Sequence, residues 1–221
     1  MTQLPHVPRA VVFDWDNTLV DTWPTIHRSL ATTLEAMGHR PWTLEETRAR
    51  VRLSLRDSFP MLFGERWEEA REIFYDAFER VHIEALAPIE GADRLLAAFR
   101  DSGTYLAVVS NKTGRYLRLE VEHLGWHRYF DRVVGAGDAE RDKPAPESLL
   151  MALSDAPVAA GPGVWFVGDS GIDMEIAHRT GCVPVLLHRS DEDSREFANW
   201  PPRHHFYSCE EVSLLVERWR V

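Results

Sequence analysis

Cysteine is scarce. The chain of 221 residues has two, Cys182 and Cys209, with no CxxC spacing. A disulfide framework and a cysteine-based zinc site are therefore not expected, and a reducing cytosol is the expected compartment. Positive charge is also short: 25 Lys and Arg stand against 35 Asp and Glu, a net charge of −10. No surplus of cations exists to displace counterions from phosphates, so neither a nucleic acid nor an anionic membrane is an expected partner. A small anionic substrate needs only a few local donors and stays open. No run approaches 18 uninterrupted apolar residues. The opening stretch MTQLPHVPRAVVFDWD puts carboxylates where a signal peptide needs its apolar segment, so the expectation is a soluble, cytoplasmic protein. Internal repeats and low-complexity stretches are missing too, and Asp191-Glu192-Asp193 reads as an acidic loop. What is present is enough apolar material for a core: 44% hydrophobic residues and eight Trp in a length that predicts one or two domains.

Short apolar runs alternate with helical periodicities over most of the chain. Ala10–Phe13, Tyr105–Val109, Val133–Val134, Val164–Val167 and Val183–Leu187 read as buried strands, with a short one near His205–Tyr207. Ala92–Arg100, Arg115–Leu124, Pro146–Leu153 and Asp173–Arg179 carry apolar residues three or four apart, and Glu210–Val221 reads as a closing helix. This alternation predicts an α/β fold, a parallel sheet covered on both faces. From Thr22 to Pro88 there are only helix signals. Pro24 suits a first helical turn and Gly38 a stop. Thr43-Leu44-Glu45-Glu46 matches a capping box. Trp67, Ala70, Phe74, Phe78 and Val81 recur at helical spacing. The expected organisation is a core of 1–20 and 89–221 with a small all-helical cap domain, 21–88, inserted after the first strand.

The residues with chemistry fall at predicted strand ends. The first strand runs into Asp14-Trp15-Asp16-Asn17-Thr18. Two carboxylates at i and i+2 can face one pocket if the chain stays near-extended, and like charges so close cannot both ionise cheaply without a cation. One ionised and one protonated carboxyl suit a nucleophile and a general acid; a solvated turn is the plainer alternative. The second strand ends in Ser110-Asn111 before Thr113-Gly114, which fits either an anion-binding helix start or an ordinary N-cap. In Asp142-Lys143-Pro144, the proline holds Lys143 extended, and a fixed ammonium suits a phosphoryl oxygen. A further strand ends in Gly168-Asp169-Ser170-Gly171-Ile172-Asp173. This is an oxygen-only set suited to Mg²⁺, lacking the His and Cys that zinc or copper favour; Asp173 as an N-cap is the structural alternative.

Taken in this order, the residues resemble the haloacid dehalogenase superfamily of phosphohydrolases, over essentially the whole chain. Asp14-x-Asp16-x-Thr18 is similar to its first motif, Ser110 to its second, Lys143 to its third, and Gly168-Asp169 with Asp173 to its fourth. The only domain-sized gap lies between the first two motifs, where the family inserts its helical cap. Asn17 stands where many members carry Gly, and Asn tolerates left-handed backbone better than most residues. The resemblance implies a Rossmann-like parallel sheet sandwiched by helices. It also implies that Asp14 attacks phosphorus to form an aspartyl-phosphate, and that Asp16 protonates the leaving oxygen and then activates water. Mg²⁺ would be held by the Asp14 and Asp169 side chains and the Asp16 carbonyl. Thr18, Ser110, Asn111 and Lys143 would bind the phosphoryl oxygens, and Asp173 would orient Lys143 or metal-bound water. The phosphoglycolate-phosphatase-like branch is the most similar, which implies a small phosphorylated metabolite as substrate.

Asp16 disfavours a dehalogenase, and Thr18 favours hydrolysis over the phosphomutases, which often carry Val there. A non-catalytic module binding phosphorylated ligands is the alternative outside enzymes; the intact set Asp14, Asp16, Lys143 and Asp169 argues against it. Arg48, Arg52 and Arg56 recur every four residues and share one face if their helix continues that far. They read as a solvated stripe paired with Glu45 and Asp57, or as a means for Arg56 to reach the far end of the substrate when the cap closes. Trp23, Trp42 and Trp67 are expected in the cap core or in cap–core contacts, and His204-His205 at a solvated strand end rather than a metal site. Neither the particular ester nor an oligomeric state is legible.

Overall fold

The computed structural model describes residues 7–51, 55–187 and 195–219, with side chains described outside 55–57. The elements run β1 (Ala10–Phe13), β2 (Val20–Asp21), α1 (Trp23–Ala36), α2 (Leu44–Arg50), α3 (Leu55–Phe63), α4 (Trp67–Val81), β3 (Ala87–Pro88) and α5 (Ala92–Asp101). They continue with β4 (Tyr105–Thr113), α6 (Gly114–His123), β5 (Arg132–Ala136), α7 (Glu147–Ala152), β6 (Val164–Gly168), α8 (Gly171–Thr180), β7 (Val183–Leu187), β8 (His204–Phe206) and α9 (Cys209–Arg218). The chain divides into two compact units, one of 1–20 with 88–221 and the other of 21–87.

In the larger unit six strands form one parallel sheet in the order β5-β4-β1-β6-β7-β8. It is flanked by helices, a Rossmann-like α/β architecture. Strand alternation supplies both packing faces. Ala10, Val12, Ala107, Val109, Val164 and Phe166 pack with Leu149 and Ala152 of α7 and Ile176 and Ala177 of α8. From the other face, Phe13 meets Phe99 of α5 edge-on at 6.0 Å, and Trp165 meets Phe99 at 6.3 Å and Trp219, just past α9, at 5.7 Å. Side chains such as Phe13, Leu106 and Phe166 have no exposed surface, each burial stabilising the fold by roughly 1.5–3 kcal/mol. Strand order reverses at β1: β4 and β5 lie on one side, β6 to β8 on the other. In such sheets the crevice beyond the carboxyl ends of the strands beside this switch point is where ligands bind.

The smaller unit is helical. Pro24 lies in the first turn of α1, and Gly38 (φ +79°) ends it, with Gly38 N–H donating to Glu35 O and His39 N–H to Leu34 O. The capping box of α2 is present: Thr43 N–H donates to Glu46 Oε2 at 2.8 Å and Glu46 N–H to Thr43 Oγ1 at 3.1 Å. Leu30, Leu34, Phe59, Phe63, Ala70, Phe74 and Phe78 are buried. Four expectations need correction. First, the stretch Thr22–Pro88 does touch strand structure, because β3 pairs with β2; two-residue strands are too short to leave a periodic signal. Second, the arginine stripe does not lie on one helix, since α2 ends at Arg50 and Arg56 belongs to α3; Arg52, and the Arg56 and Asp57 side chains, lie outside the described residues. Third, Trp23, Trp42 and Trp67 are half-buried beneath the guanidinium groups of Arg48, Arg50 and Arg71, at 5.9, 4.8 and 5.1 Å from the ring centroids. An aromatic face partly open to water is a better seat for a cation than for a core. Fourth, Asp173 is not the N-cap of α8: Ser170 is, and Asp173 sits three residues on. The acidic loop Asp191-Glu192-Asp193 lies outside the described residues. Among those residues no helix is long and apolar enough to cross a membrane.

Candidate active site

β1 pairs with β4 and β6 in matching register, Phe13 opposite Val108 and Val167. The residues that follow these strands therefore emerge side by side at one end of the sheet. Asp14 is the first residue past β1, with its N–H donating to Val167 O at 2.8 Å. The chain then folds into a tight turn. The Trp15 carbonyl accepts from the N–H groups of Thr18, Leu19 and Val20, and Asn17 N–H donates to Val20 O. Asn17 holds φ +61°, the left-handed conformation that Asn adopts more readily than most residues. The turn brings Thr18 back beside Asp14, where Thr18 Oγ1 lies 3.4 Å from Asp14 Oδ2 and 3.3 Å from Asp169 Oδ1.

Lys143, in the loop between β5 and α7, is buried, and its Nζ donates to Asp14 Oδ1 at 2.5 Å and Asp173 Oδ1 at 2.8 Å. Asn111 supports that loop from β4: its Nδ2 donates to Lys143 O at 3.1 Å and its Oδ1 accepts from Lys143 N–H at 3.0 Å. The Asn111 side-chain amide thus braces the Lys143 main chain. Ser110 is buried, its Oγ accepting from Lys112 N–H at 3.1 Å. Asp173, in the first turn of α8, accepts from Ser170 Oγ at 2.6 Å and Ser170 N–H at 3.2 Å. Gly168 makes this proximity possible, because a Cβ there would stand 2.3 Å from Asp173 Cγ.

Oxygens of Asp14, Asp169 and Asp173 lie within 4.8 Å of one another. Burial pushes the Asp14 carboxyl up to about 7; Lys143 pulls it down, while Asp173 and Asp16 push it further up. Burial, with Asp14 and Asp173, also raises Asp169 well above the carboxylate range. Lys143 moves the other way from what burial alone would do: Asp14 and Asp173 outweigh desolvation and hold it protonated. A largely buried pocket with more carboxylates than cations is short of positive charge. Its donors are hard oxygens, so the residues fit a small divalent cation such as Mg²⁺.

Of the residues singled out in the sequence, contacts link Asp14, Thr18, Lys143, Asp169 and Asp173 directly and Asn111 through the Lys143 backbone. Asp16 joins from the other side, its Oδ1 2.7 Å from Lys112 Nζ. The motif reading passed over Lys112 and Glu120. Glu120 carried a usable signal, since it falls on the buried face of α6 with Tyr116, Leu117 and Val121, an unusual place for a carboxylate.

Such a fold, with a carboxylate–lysine cluster at its switch point, defines an α/β enzyme that handles an anionic oxygen ligand. The model of the haloacid dehalogenase-like hydrolases matches residues 11–186, and the chain belongs to that family. It is similar to phosphoglycolate phosphatases. One from Rhodobacter capsulatus is 25% identical over 95% of this chain and 97% of its own length. One from Pseudomonas fluorescens is 29% identical over 89% of this chain and 75% of its own. A solved haloacid dehalogenase-like hydrolase from Streptococcus pneumoniae shares the fold, with a TM-score of 0.81 at 22% identity, covering 93% of this chain and 97% of that one.

Proposed function

We propose that the protein is a Mg²⁺-dependent phosphatase that hydrolyses a small phosphate monoester through an aspartyl-phosphate on Asp14, in the cytoplasm. The observation that carries this reading is the set of buried Asp14, Lys143 and Asp173 with half-buried Asp169 at the switch point. The similarity to phosphoglycolate phosphatases points to a small phosphorylated metabolite, and selectivity among such esters is assigned to the helical unit.

Asp14 is the nucleophile: one of its oxygens bonds to phosphorus while the bond from phosphorus to the ester oxygen breaks. The departing alkoxide takes a proton from the Asp16 carboxyl. Asp16, now ionised, removes a proton from the water that attacks the aspartyl-phosphate, releasing phosphate and restoring Asp14. Lys143 compensates charge on Asp14 and on the phosphoryl oxygens, with Asp173 holding its ammonium in place. Thr18, Ser110 and the Asn111 segment complete the anion site. The side chains of Asp14 and Asp169 and the carbonyl of Asp16 would hold Mg²⁺. When bound, it supplies the positive charge that keeps Asp14 ionised and offsets the phosphoryl charge. The test is phosphate release from a panel of metabolite monoesters, ranked by kcat/KM. Turnover that chelator abolishes and Mg²⁺ restores is expected; full activity in excess chelator would sink the proposal.

A further inference from the structure

Beside Asp16 runs a series of buried contacts that the proposed reaction has not used. Lys112, near the end of β4, places Nζ 2.7 Å from Asp16 Oδ1 and 2.6 Å from Glu120 Oε2. Its side chain is 6% exposed and that of Glu120 1%. Trp15 Nε1 donates to the same Glu120 oxygen at 2.7 Å. The indole of Trp15 is fully buried and meets Trp126 and Phe130 edge-on, at 5.7 and 6.5 Å between centroids. Asp16 is therefore tied, through an ammonium and a carboxylate, to an aromatic cluster of the core.

Stability is a poor reason for this arrangement. Taking an ammonium and a carboxylate out of water costs so much that apolar replacements of buried pairs are often neutral or stabilising. Geometry offers a better one. Asp16 Oδ1 is buried, yet the side chain as a whole is 28% exposed, so the exposure lies on its other atoms. Lys112 Nζ donates to Glu120 Oε2 and so is itself held, and from there it forms an ion pair with Asp16 Oδ1 at 2.7 Å; a buried charge fixed on one side of the carboxylate restrains its rotation.

We propose that Lys112 is a positioning residue for Asp16: the series Trp15–Glu120–Lys112 pins Oδ1 and presents Oδ2 to the leaving oxygen. The inference rests on the reading of Asp16 as the acid–base group, and its own content is which residue aims that group. A general acid works only within hydrogen-bond reach of its target, so releasing Oδ1 lets the carboxyl turn away and lowers the fraction of bound substrate that meets the acid.

The experiment compares kcat/KM, which reports the step that phosphorylates Asp14, for an alkyl phosphate and for p-nitrophenyl phosphate. The alkyl ester needs a proton on its leaving oxygen; nitrophenolate hardly does. Lys112→Met should lower the alkyl-to-aryl ratio of kcat/KM by about tenfold or more, within the range of about 10²–10⁴ that acid–base assistance supplies. Lys112→Arg should recover part of that loss. Because Lys112→Met leaves Glu120 buried with its cation removed, the double variant Lys112→Met/Glu120→Gln serves as a second test with neither charge, and should show the same loss of ratio. In an Asp16→Asn background, Lys112→Met should change the ratio no further, as expected of two residues acting as one unit. Equal losses on both esters would make Lys112 a structural residue only, and a further full loss in the Asp16→Asn background would mean that it acts on substrate directly. Either result overturns the inference while leaving Asp16 in its role. An Asp16→Asn enzyme with an unchanged alkyl-to-aryl ratio would instead overturn the acid–base reading, and this inference with it.

Discussion

The two units bury polar groups of different kinds. In the helical unit, the buried polar residues are Thr22, Thr25, Ser29, Thr33, Thr47, Ser58 and His82 among those described. Several of the hydroxyls are satisfied inside their own helix: Ser29 Oγ donates to Thr25 O, Thr33 Oγ1 to Ser29 O and Thr47 Oγ1 to Thr43 O. In the sheet unit the buried set includes Asp14, Glu120, Lys143 and Asp173; Lys143 reaches Asp14 and Asp173, and the Trp15 indole reaches Glu120, across long stretches of sequence. A hydroxyl satisfied locally can be buried wherever a helix is buried. A buried charge needs a partner delivered from elsewhere, which only a rigid scaffold supplies. The sheet unit thus carries the strained electrostatics that chemistry needs. Among the described residues the arginines of the helical unit stay exposed, their charge in water.

The sharpest break of this comparison is Asp14→Asn. Removing the nucleophile should cost about 10⁴-fold or more in kcat on every phosphate ester, with the fold retained by circular dichroism; activity near wild type would move the chemistry elsewhere. The helical unit should answer to a packing change instead. Phe74→Ala should destabilise it by about 3–5 kcal/mol, seen as loss of the protein's cooperative unfolding at its normal denaturant midpoint, because Phe74 meets Phe59 and Tyr75 edge-on and stacks on Phe78.

A third outcome concerns pH in the presence of chelator. Asp14 titrates near 7 in the fold instead of its ordinary 3.8, so the folded state holds its proton more tightly than the unfolded chain. The associated stability is fully present below about 3.8 and is lost as pH rises through about 7. Wild-type Tm should accordingly fall relative to that of Asp14→Asn as pH is raised from 4 to 8, and added Mg²⁺ should shrink the gap. A gap that widens toward acid would reverse the sign and refute the burial argument. A smaller effect is expected for Arg56→Ala, a few-fold increase in KM for the true substrate with none for p-nitrophenyl phosphate; equal changes on both would remove it from specificity. Smallest of all, Ser29→Ala should shift stability by less than about 1 kcal/mol in chemical denaturation, since the hydroxyl it removes bonds only its own helix turn in the contacts described.

The carboxylates were readable in the chain because they follow Val-rich strands, and a strand end beside a switch point is a ligand site by topology. Asn17 was readable for a similar reason, as few residues accept φ +61°. Lys112 was not: it follows Ser110-Asn111 in sequence, but its meaning depends on Glu120, eight residues on, and on Trp15, which reaches the same oxygen from the turn after β1. Asn111 was legible as a polar residue at a strand end, while its hold on the Lys143 main chain, 32 residues on, was not. Periodicity does not mark where a helix stops: α2 ends at Arg50, and Arg56 belongs to α3.

By itself, then, the sequence determined the alternation of strands and helices, the helical insertion and the identity of the acids at the strand ends. Those depend on side-chain periodicity and backbone preference, which act over a few residues. Tertiary structure decided which charges face which. Pairing Lys143 with Asp14 and Asp173, or Lys112 with Asp16, requires segments far apart in the chain to lie side by side, and the strength of each pair is set by how much water the surrounding core keeps out.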